Sequence, residues 1–266
     1  VSLTPLIDGY DNLILDLDGT VWIGADPTPR AAEAIAALRA AGKRLMFVTN
    51  DGRRSPDEYV RKLWAIGCTA GVDEIVSVGS AIQFLLADRP PGRGVFVIGS
   101  PAIRRHVADA GHRVLNGTDA AEEAELVVVV AHDALTYGEL ETALRAVMSG
   151  AEMVCGGRDR HFPTPEGLAP GTGAIAAALE FASERTARNV GKPDREVFAA
   201  ALDRLGEGRT LVIGDHLVSD LAGAAAAGLP AAVVLTGITS RAEAEAARDP
   251  APVAIGESLA ALVLAR

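Results

Sequence analysis

The chain has 266 residues, a formal net charge of −10, 49% hydrophobic residues and only 4% aromatic ones. The apolar content excludes disorder over most of the length, and the acidity argues against a nucleic acid polymer as partner. Two cysteines, Cys68 and Cys155, are too few for a disulfide framework or a structural zinc site. No apolar run approaches the roughly 18 residues that span a bilayer, so no membrane partner is expected. The opening Val-Ser-Leu-Thr-Pro has neither a basic segment nor a secretory apolar one, and a cytoplasmic protein is expected.

Taken in chain order, apolar strands alternate with helical segments. Leu13 to Leu17 reads as a buried strand. Thr28 to Ala41 reads as a helix, with Ala31, Ile35 and Leu38 on one face and Gly42 as its stop. Arg44 to Thr49 is a strand. Ser55 to Ile66 is a helix, with Ser55 as N-cap and Pro56 in its first turn. A strand at Ile75 to Val78 and a helix at Ala81 to Ala87 follow.

The segment Arg89-Pro90-Pro91-Gly92-Arg93-Gly94 punctuates the pattern. Beyond it come strands at Val95 to Ile98, Leu126 to Ala131 and Glu152 to Cys155, and helices at Pro101 to Ala110, Tyr137 to Met148 and Ala174 to Ser183. A third series holds a helix from Arg195 to Leu205, a strand at Thr210 to Ile213, a helix near Leu221 to Ala227 and a strand at Ala231 to Leu235. Such alternation implies parallel sheets covered on both faces. Reactive residues fall in the first and third series. The middle series therefore reads as an insertion, with a core at residues 1–88 and 183–266 and an inserted domain at 89–182.

Three expected strands end in chemistry. The first runs into Asp16-Leu17-Asp18-Gly19-Thr20, and an extended backbone aims residues i and i+2 the same way. The second ends in Thr49-Asn50-Asp51-Gly52, a hydroxyl and an amide suited to phosphate oxygens. The third ends in Gly214-Asp215, with Asp220 at the start of the next helix, where capping alone would also account for it. Lys192 lies in a fourth loop. Read singly, the Thr-Asn turn and the lysine are ordinary surface features. Together they form a cluster of hard oxygen donors with one cation, a set that suits Mg²⁺ and a substrate phosphate.

In this order, Asp16-Leu17-Asp18-Gly19-Thr20, Thr49, Lys192 and Gly214-Asp215 with Asp220 resemble the four motifs of the haloacid dehalogenase superfamily. The run Phe162-Pro163-Thr164-Pro165-Glu166-Gly167-Leu168-Ala169-Pro170-Gly171-Thr172-Gly173 is similar to the cap-to-core signature of its C2-capped, NagD-like and p-nitrophenylphosphatase members. The resemblance implies an α/β fold with a Rossmann-like parallel-sheet core and an inserted α/β cap. It implies a Mg²⁺-dependent phosphatase acting on small metabolites such as nucleoside monophosphates, glycerol phosphate, phosphoglycolate or sugar phosphates. Asp16 would be the nucleophile and Asp18 the general acid and base. Thr49, Asn50 and Lys192 would hold phosphoryl oxygens. Asp16, the Asp18 carbonyl and Asp215 would ligate the metal, with Asp220 acting through water or Lys192. A homodimer through the cap is also implied.

Three positions depart from the family pattern. Asp51 stands where a second Asn is usual, and would add negative charge beside the phosphate. Val218 and Ser219 stand where Asp and Thr are common, which bears on metal affinity. His216 stands where Arg is frequent and reads as a surface residue. The loop Gly157-Arg158-Asp159-Arg160-His161 is expected to face the substrate, with Arg158, Asp159 and His161 as specificity residues. Trp22, although close to the catalytic turn, reads as a packing residue. Gly171 to Ala176 fits G-x-G-x-x-A, but nothing before it reads as a strand, so a dinucleotide site is not expected. A phosphotransferase or phosphomutase, and a sensor without catalysis, remain open alternatives.

Overall fold

The computed structural model describes residues 2–164 and 167–265. Pro165 and Glu166 of the signature therefore lie outside the described residues. The chain opens with α1 (Pro5–Asp8), β1 (Asn12–Asp16) and a small hairpin of β2 (Trp22–Ile23) and β3 (Asp26–Pro27). It continues through α2 (Ala31–Ala40), β4 (Arg44–Thr49), α3 (Pro56–Ala65), β5 (Ile75–Ser77) and α4 (Val78–Ala87). The Glu58 carboxylate accepts the Ser55 N–H at 2.7 Å, which closes the expected N-terminus of α3. Helix α4 starts earlier than Ala81, because the Ser77 hydroxyl accepts the Ser80 N–H and caps it.

Next come β6 (Gly94–Ile98), α5 (Pro101–Asp109), β7 (Arg113–Val114), β8 (Leu126–Val129), α6 (Tyr137–Met148) and β9 (Glu152–Cys155). Strands β10 (His161–Thr164) and β11 (Gly167–Pro170) pair antiparallel, and α7 (Thr172–Ser183) and β12 (Arg188–Asn189) follow. A strand thus does precede Gly171, contrary to the sequence reading. It belongs to a two-stranded hairpin, whereas a dinucleotide fold needs a parallel βαβ unit. The chain closes with α8 (Arg195–Leu205), β13 (Thr210–Gly214), a π-helix at Leu217–Ala222, α9 (Gly223–Ala226), β14 (Ala231–Val234), α10 (Arg241–Ala246), β15 (Ala254–Gly256) and α11 (Leu259–Val263).

Two parallel sheets organise these elements. One has the order β15-β14-β13-β1-β4-β5, and the other β12-β9-β8-β6-β7. In the first, β1 is central: Asn12 pairs with both Thr210 and Arg44, and Asp16 sits beside Val48. Its faces alternate as a doubly covered strand requires. Leu13 and Leu15 pack with Leu45, Phe47, Leu211 and Ile213 under α2 and α3. Ile14 packs with Met46, Val48 and Val212 under α8 and α9. The second sheet draws its strands from residues 94–189, so β12 lies beyond position 182. Because all pairs of the first sheet run parallel, the carboxyl ends of β1, β4 and β13 open on one edge, where open α/β sheets bind ligands.

Candidate active site

Strand β1 ends at Asp16, and the chain turns at once. The Leu17 carbonyl accepts the N–H groups of Val21 at 2.8 Å and Trp22 at 3.1 Å, while Gly19 N–H donates to the Trp22 carbonyl at 2.7 Å. Gly19 has φ +87°, and a Cβ there would stand 2.5 Å from Asp215 Oδ2. Only glycine satisfies both conditions. Gly214 is similarly constrained, since a Cβ would overlap the Asp220 carboxyl group.

Lys192 is 3% exposed. Its ammonium donates to Asp16 Oδ1 and, at 2.7 Å, to Asp220 Oδ1. Oxygens of Asp16, Asp215 and Asp220 all lie within 4.8 Å of one another. Three carboxylates with one ammonium leave an excess of two negative charges in a buried place. The electrostatics register it. Burial, the largest influence, pushes the Asp16 carboxyl well above the ordinary range; Lys192 opposes it, and Asp220 and Asp215 add to it. Burial and then Asp220 push Asp215 up to about 7. Burial opposes the charge on Lys192, but Asp16 and Asp220 outweigh it and hold the ammonium above its ordinary value. A divalent cation balances that excess, and hard carboxylate oxygens are the donors Mg²⁺ takes. The residues present fit Mg²⁺.

Asp220 does not cap the helix that follows β13. The cap is instead His216, whose Nδ1 accepts the N–H groups of Val218 at 3.0 Å and Ser219 at 3.2 Å. Asp220 Oδ2 accepts the His216 N–H at 3.0 Å, leaving Oδ1 to Lys192. Val218 is 54% exposed, so the family's usual Asp is replaced at a position that points away from the cluster.

The Thr49 hydroxyl accepts the Asp51 N–H at 3.0 Å and lines the cavity. The Asn50 amide makes three hydrogen bonds, to two residues. It donates to Asp159 Oδ2 at 2.8 Å and the Lys192 carbonyl at 3.0 Å, and accepts the Lys192 N–H at 2.8 Å. Its side chain therefore braces the lysine loop instead of pointing a free donor at phosphate. Asp51 does not present a bare charge. Arg53 Nε reaches it at 2.8 Å and Arg54 at 3.3 Å. Burial alone would raise the Asp51 carboxyl, but the Arg53 guanidinium outweighs it and holds it below the ordinary value.

The cavity encloses about 120 Å³ and gathers Asp16, Asp18 and Asp215 from the ends of β1 and β13 in the first sheet, Lys192 from the loop after β12, and Asp159 and His161 from beyond β9. That volume is far below the several hundred Å³ of pockets for large ligands. It suits a phosphate on a small organic group. Asp159 also accepts the Ser219 hydroxyl at 2.5 Å, which ties the two sheets together across the opening. Arg158 departs from expectation. It pairs with Glu180 at 2.8 Å and with the Ala187 carbonyl, and it is absent from the cavity wall. A charged partner on α7 draws it aside. Arg53 was missed by sequence reasoning. It lines the cavity and stacks 4.6 Å from the Phe162 ring centroid. The only sequence signal was its spacing two residues after Asp51.

Comparisons with known proteins point the same way. Residues 13–113 match a model of haloacid dehalogenase-like hydrolases, and residues 189–262 match a second model of HAD-like hydrolases. D-glycerol 3-phosphate phosphatase of Mycobacterium tuberculosis is 37% identical over 257 residues, which cover 95% of this chain and 71% of that protein. The crystal structure of the glycerol phosphate phosphatase from the same organism, in complex with magnesium, superposes with a TM-score of 0.89 at 36% identity, covering 98% of this chain and 78% of that one. The p-nitrophenyl phosphatase of Archaeoglobus fulgidus gives a TM-score of 0.86 at 30% identity, covering 95% and 98% of the two chains.

Proposed function

The chain belongs to the haloacid dehalogenase-like hydrolases and is a phosphatase, and we propose that it hydrolyses small phosphate monoesters through an aspartyl phosphate on Asp16. The observation that carries this reading is the buried cluster of Asp16, Asp215 and Asp220 around Lys192 at the carboxyl edge of the first sheet. Glycerol phosphate is the first substrate to test, because it names the relatives that match over most of this chain.

Mg²⁺ is the cofactor. Asp16, Asp215 and the Asp18 carbonyl would hold it, and bound there it neutralises charge on the phosphoryl oxygens. Lys192 does the same from the protein side and keeps Asp16 in place. A carboxylate oxygen of Asp16 forms the bond to phosphorus as the ester P–O bond breaks. Asp18 gives its proton to the departing oxygen, then takes one from the water that cleaves the aspartyl phosphate. Burial, then the charge of Asp51, keeps the Asp18 carboxyl above its ordinary value, which favours the protonated form this step needs. Thr49 and Lys192 bind the phosphoryl group, Asn50 positions the lysine loop, and Asp220 anchors the ammonium.

The second sheet and its helices serve in this reading as a cap over the core. Support comes from Asp159, His161 and Phe162, which line the same cavity as the core carboxylates. A cytoplasmic setting fits two buried, unpaired cysteines. The homodimer implied by the family resemblance is testable by sedimentation equilibrium. No helix among the described residues is long and apolar enough to cross a membrane. The reading is tested by phosphate release from a panel of phosphate monoesters with Mg²⁺. Release that a chelator abolishes and added Mg²⁺ restores supports it; no release from any member overturns it.

A further inference from the structure

We propose that Trp22 is a positioning residue that fixes which oxygen of Asp18 meets the substrate, and that Lys62, stacked on its ring, strengthens that hold. Trp22 is fully buried, as a packing residue would be. Yet its indole Nε1 donates to Asp18 Oδ1 at 2.9 Å. The backbone fixes both partners, through a bridge between Asp18 and Trp22 and the bonds of Gly19 and Trp22 described above. Lys62, from α3, sets its ammonium 3.7 Å from the centroid of the Trp22 ring. A surface-helix lysine ordinarily turns to water; this one lies over an aromatic face beside the catalytic turn.

The indole is a donor only. Asp18 Oδ1 must therefore be the accepting oxygen, and the transferable proton is carried on Oδ2. Among the described residues, Oδ2 has no hydrogen-bond partner of its own, and Asp18 lines the cavity. A cation over the ring face draws electron density from the indole and makes its N–H a stronger donor. Held at Oδ1, the carboxyl cannot turn its protonated oxygen away.

The inference rests on the roles proposed above for Asp16 and Asp18. As the Asp16–phosphorus bond forms and the ester P–O bond breaks, the electron pair goes to the departing oxygen. That oxygen takes the proton from Asp18 Oδ2 and leaves Asp18 as a carboxylate. An alkoxide needs this proton, whereas p-nitrophenolate departs without it. Loss of alignment must therefore fall on alkyl esters. It must show in kcat/KM, which covers the steps up to leaving-group departure.

The experiment compares wild type, Trp22→Phe, Lys62→Met and Asp18→Asn on glycerol phosphate, or another alkyl phosphate the wild type turns over, and on p-nitrophenyl phosphate. Thermal melts accompany each variant. Trp22→Phe is expected to lower kcat/KM about 30-fold on the alkyl ester and about threefold at most on the aryl ester. Lys62→Met should show the same selectivity with a loss of about threefold to fivefold on the alkyl ester. An equal loss on both esters in a cooperatively melting Trp22→Phe overturns the proposal. If Trp22→Phe does not fold, Lys62→Met decides: a selective loss supports the proposal, and an equal loss or none overturns it. Asp18→Asn keeps the two readings apart, since a variant that spares the alkyl ester removes Asp18 itself from the acid role.

Discussion

Removing the charge of Asp215 should make the metal-free protein more stable while destroying its function. Burial and the neighbouring Asp220 raise the Asp215 carboxyl from 3.8 to about 7. One pKa unit corresponds to about 1.4 kcal/mol, so at pH 8 an ionised Asp215 costs the metal-free native state about 4 kcal/mol. The sign follows from proton binding. Between pH 3.8 and 7 the native state holds the proton and the unfolded chain does not, so stability falls as pH rises through that window. An amide cannot ionise, and its carbonyl oxygen can still accept the Ile238 N–H that Asp215 Oδ2 accepts at 2.8 Å.

Asp215→Asn should therefore melt about 10 °C above wild type at pH 8 in chelator. The gap should close to about 3 °C at pH 4.5, where the same cost is about 1 kcal/mol. Added Mg²⁺ should raise the wild-type midpoint, by about 2.7 kcal/mol at a hundredfold excess over its Kd, and leave the variant unmoved. Differential scanning calorimetry at the two pH values measures all of this. A variant that melts at or below wild type at pH 8, or a gap that does not change with pH, would show that the buried Asp215 charge carries no such cost.

Arg158→Ala should lower the melting temperature by the equivalent of about 1 kcal/mol or less, because it loses a partly exposed pair with Glu180. Its KM should stay at the wild-type value, and a KM change beyond threefold would return Arg158 to the substrate site. Arg53→Ala should raise KM roughly tenfold, about 1.4 kcal/mol, by uncovering the Asp51 carboxylate beside the phosphate. Adding Asp51→Asn to that variant should restore KM, and a double-mutant cycle with no coupling would show that Arg53 acts elsewhere.

The parts of the fold that were legible in the sequence are those whose apolar runs are long and buried on both faces. Strands β1, β4 and β13 read directly, and the residues that end them meet on one edge because the strands are parallel neighbours. The β10–β11 hairpin was not legible, since Pro163 and Pro170 argue against a strand and its pairing supplies what propensity does not. The π-helix start was missed because a histidine ring replaces the usual Ser, Thr, Asn or Asp cap. Partner choice was the other gap. Arg158 could have faced the substrate, but Glu180, far along the chain, settles where it points. Asp51 read as a bare charge because only a turn brings the Arg53 and Arg54 guanidinium groups back onto its oxygens. Trp22 read as packing, which its burial agrees with, while its hydrogen bond depended on the tight turn between Leu17 and Trp22.

In the proposed mechanism Asp16 carries the phosphoryl group. Acid quenching during turnover, reduction with borohydride and peptide mass mapping test it most directly, because an aspartyl phosphate is reduced to homoserine at the position that held it. Phosphoryl transfer to Asp16 predicts homoserine at residue 16 in the wild type and none in Asp16→Asn. Homoserine at Asp18 or Asp215, or its absence from an enzyme that is turning over, would contradict it.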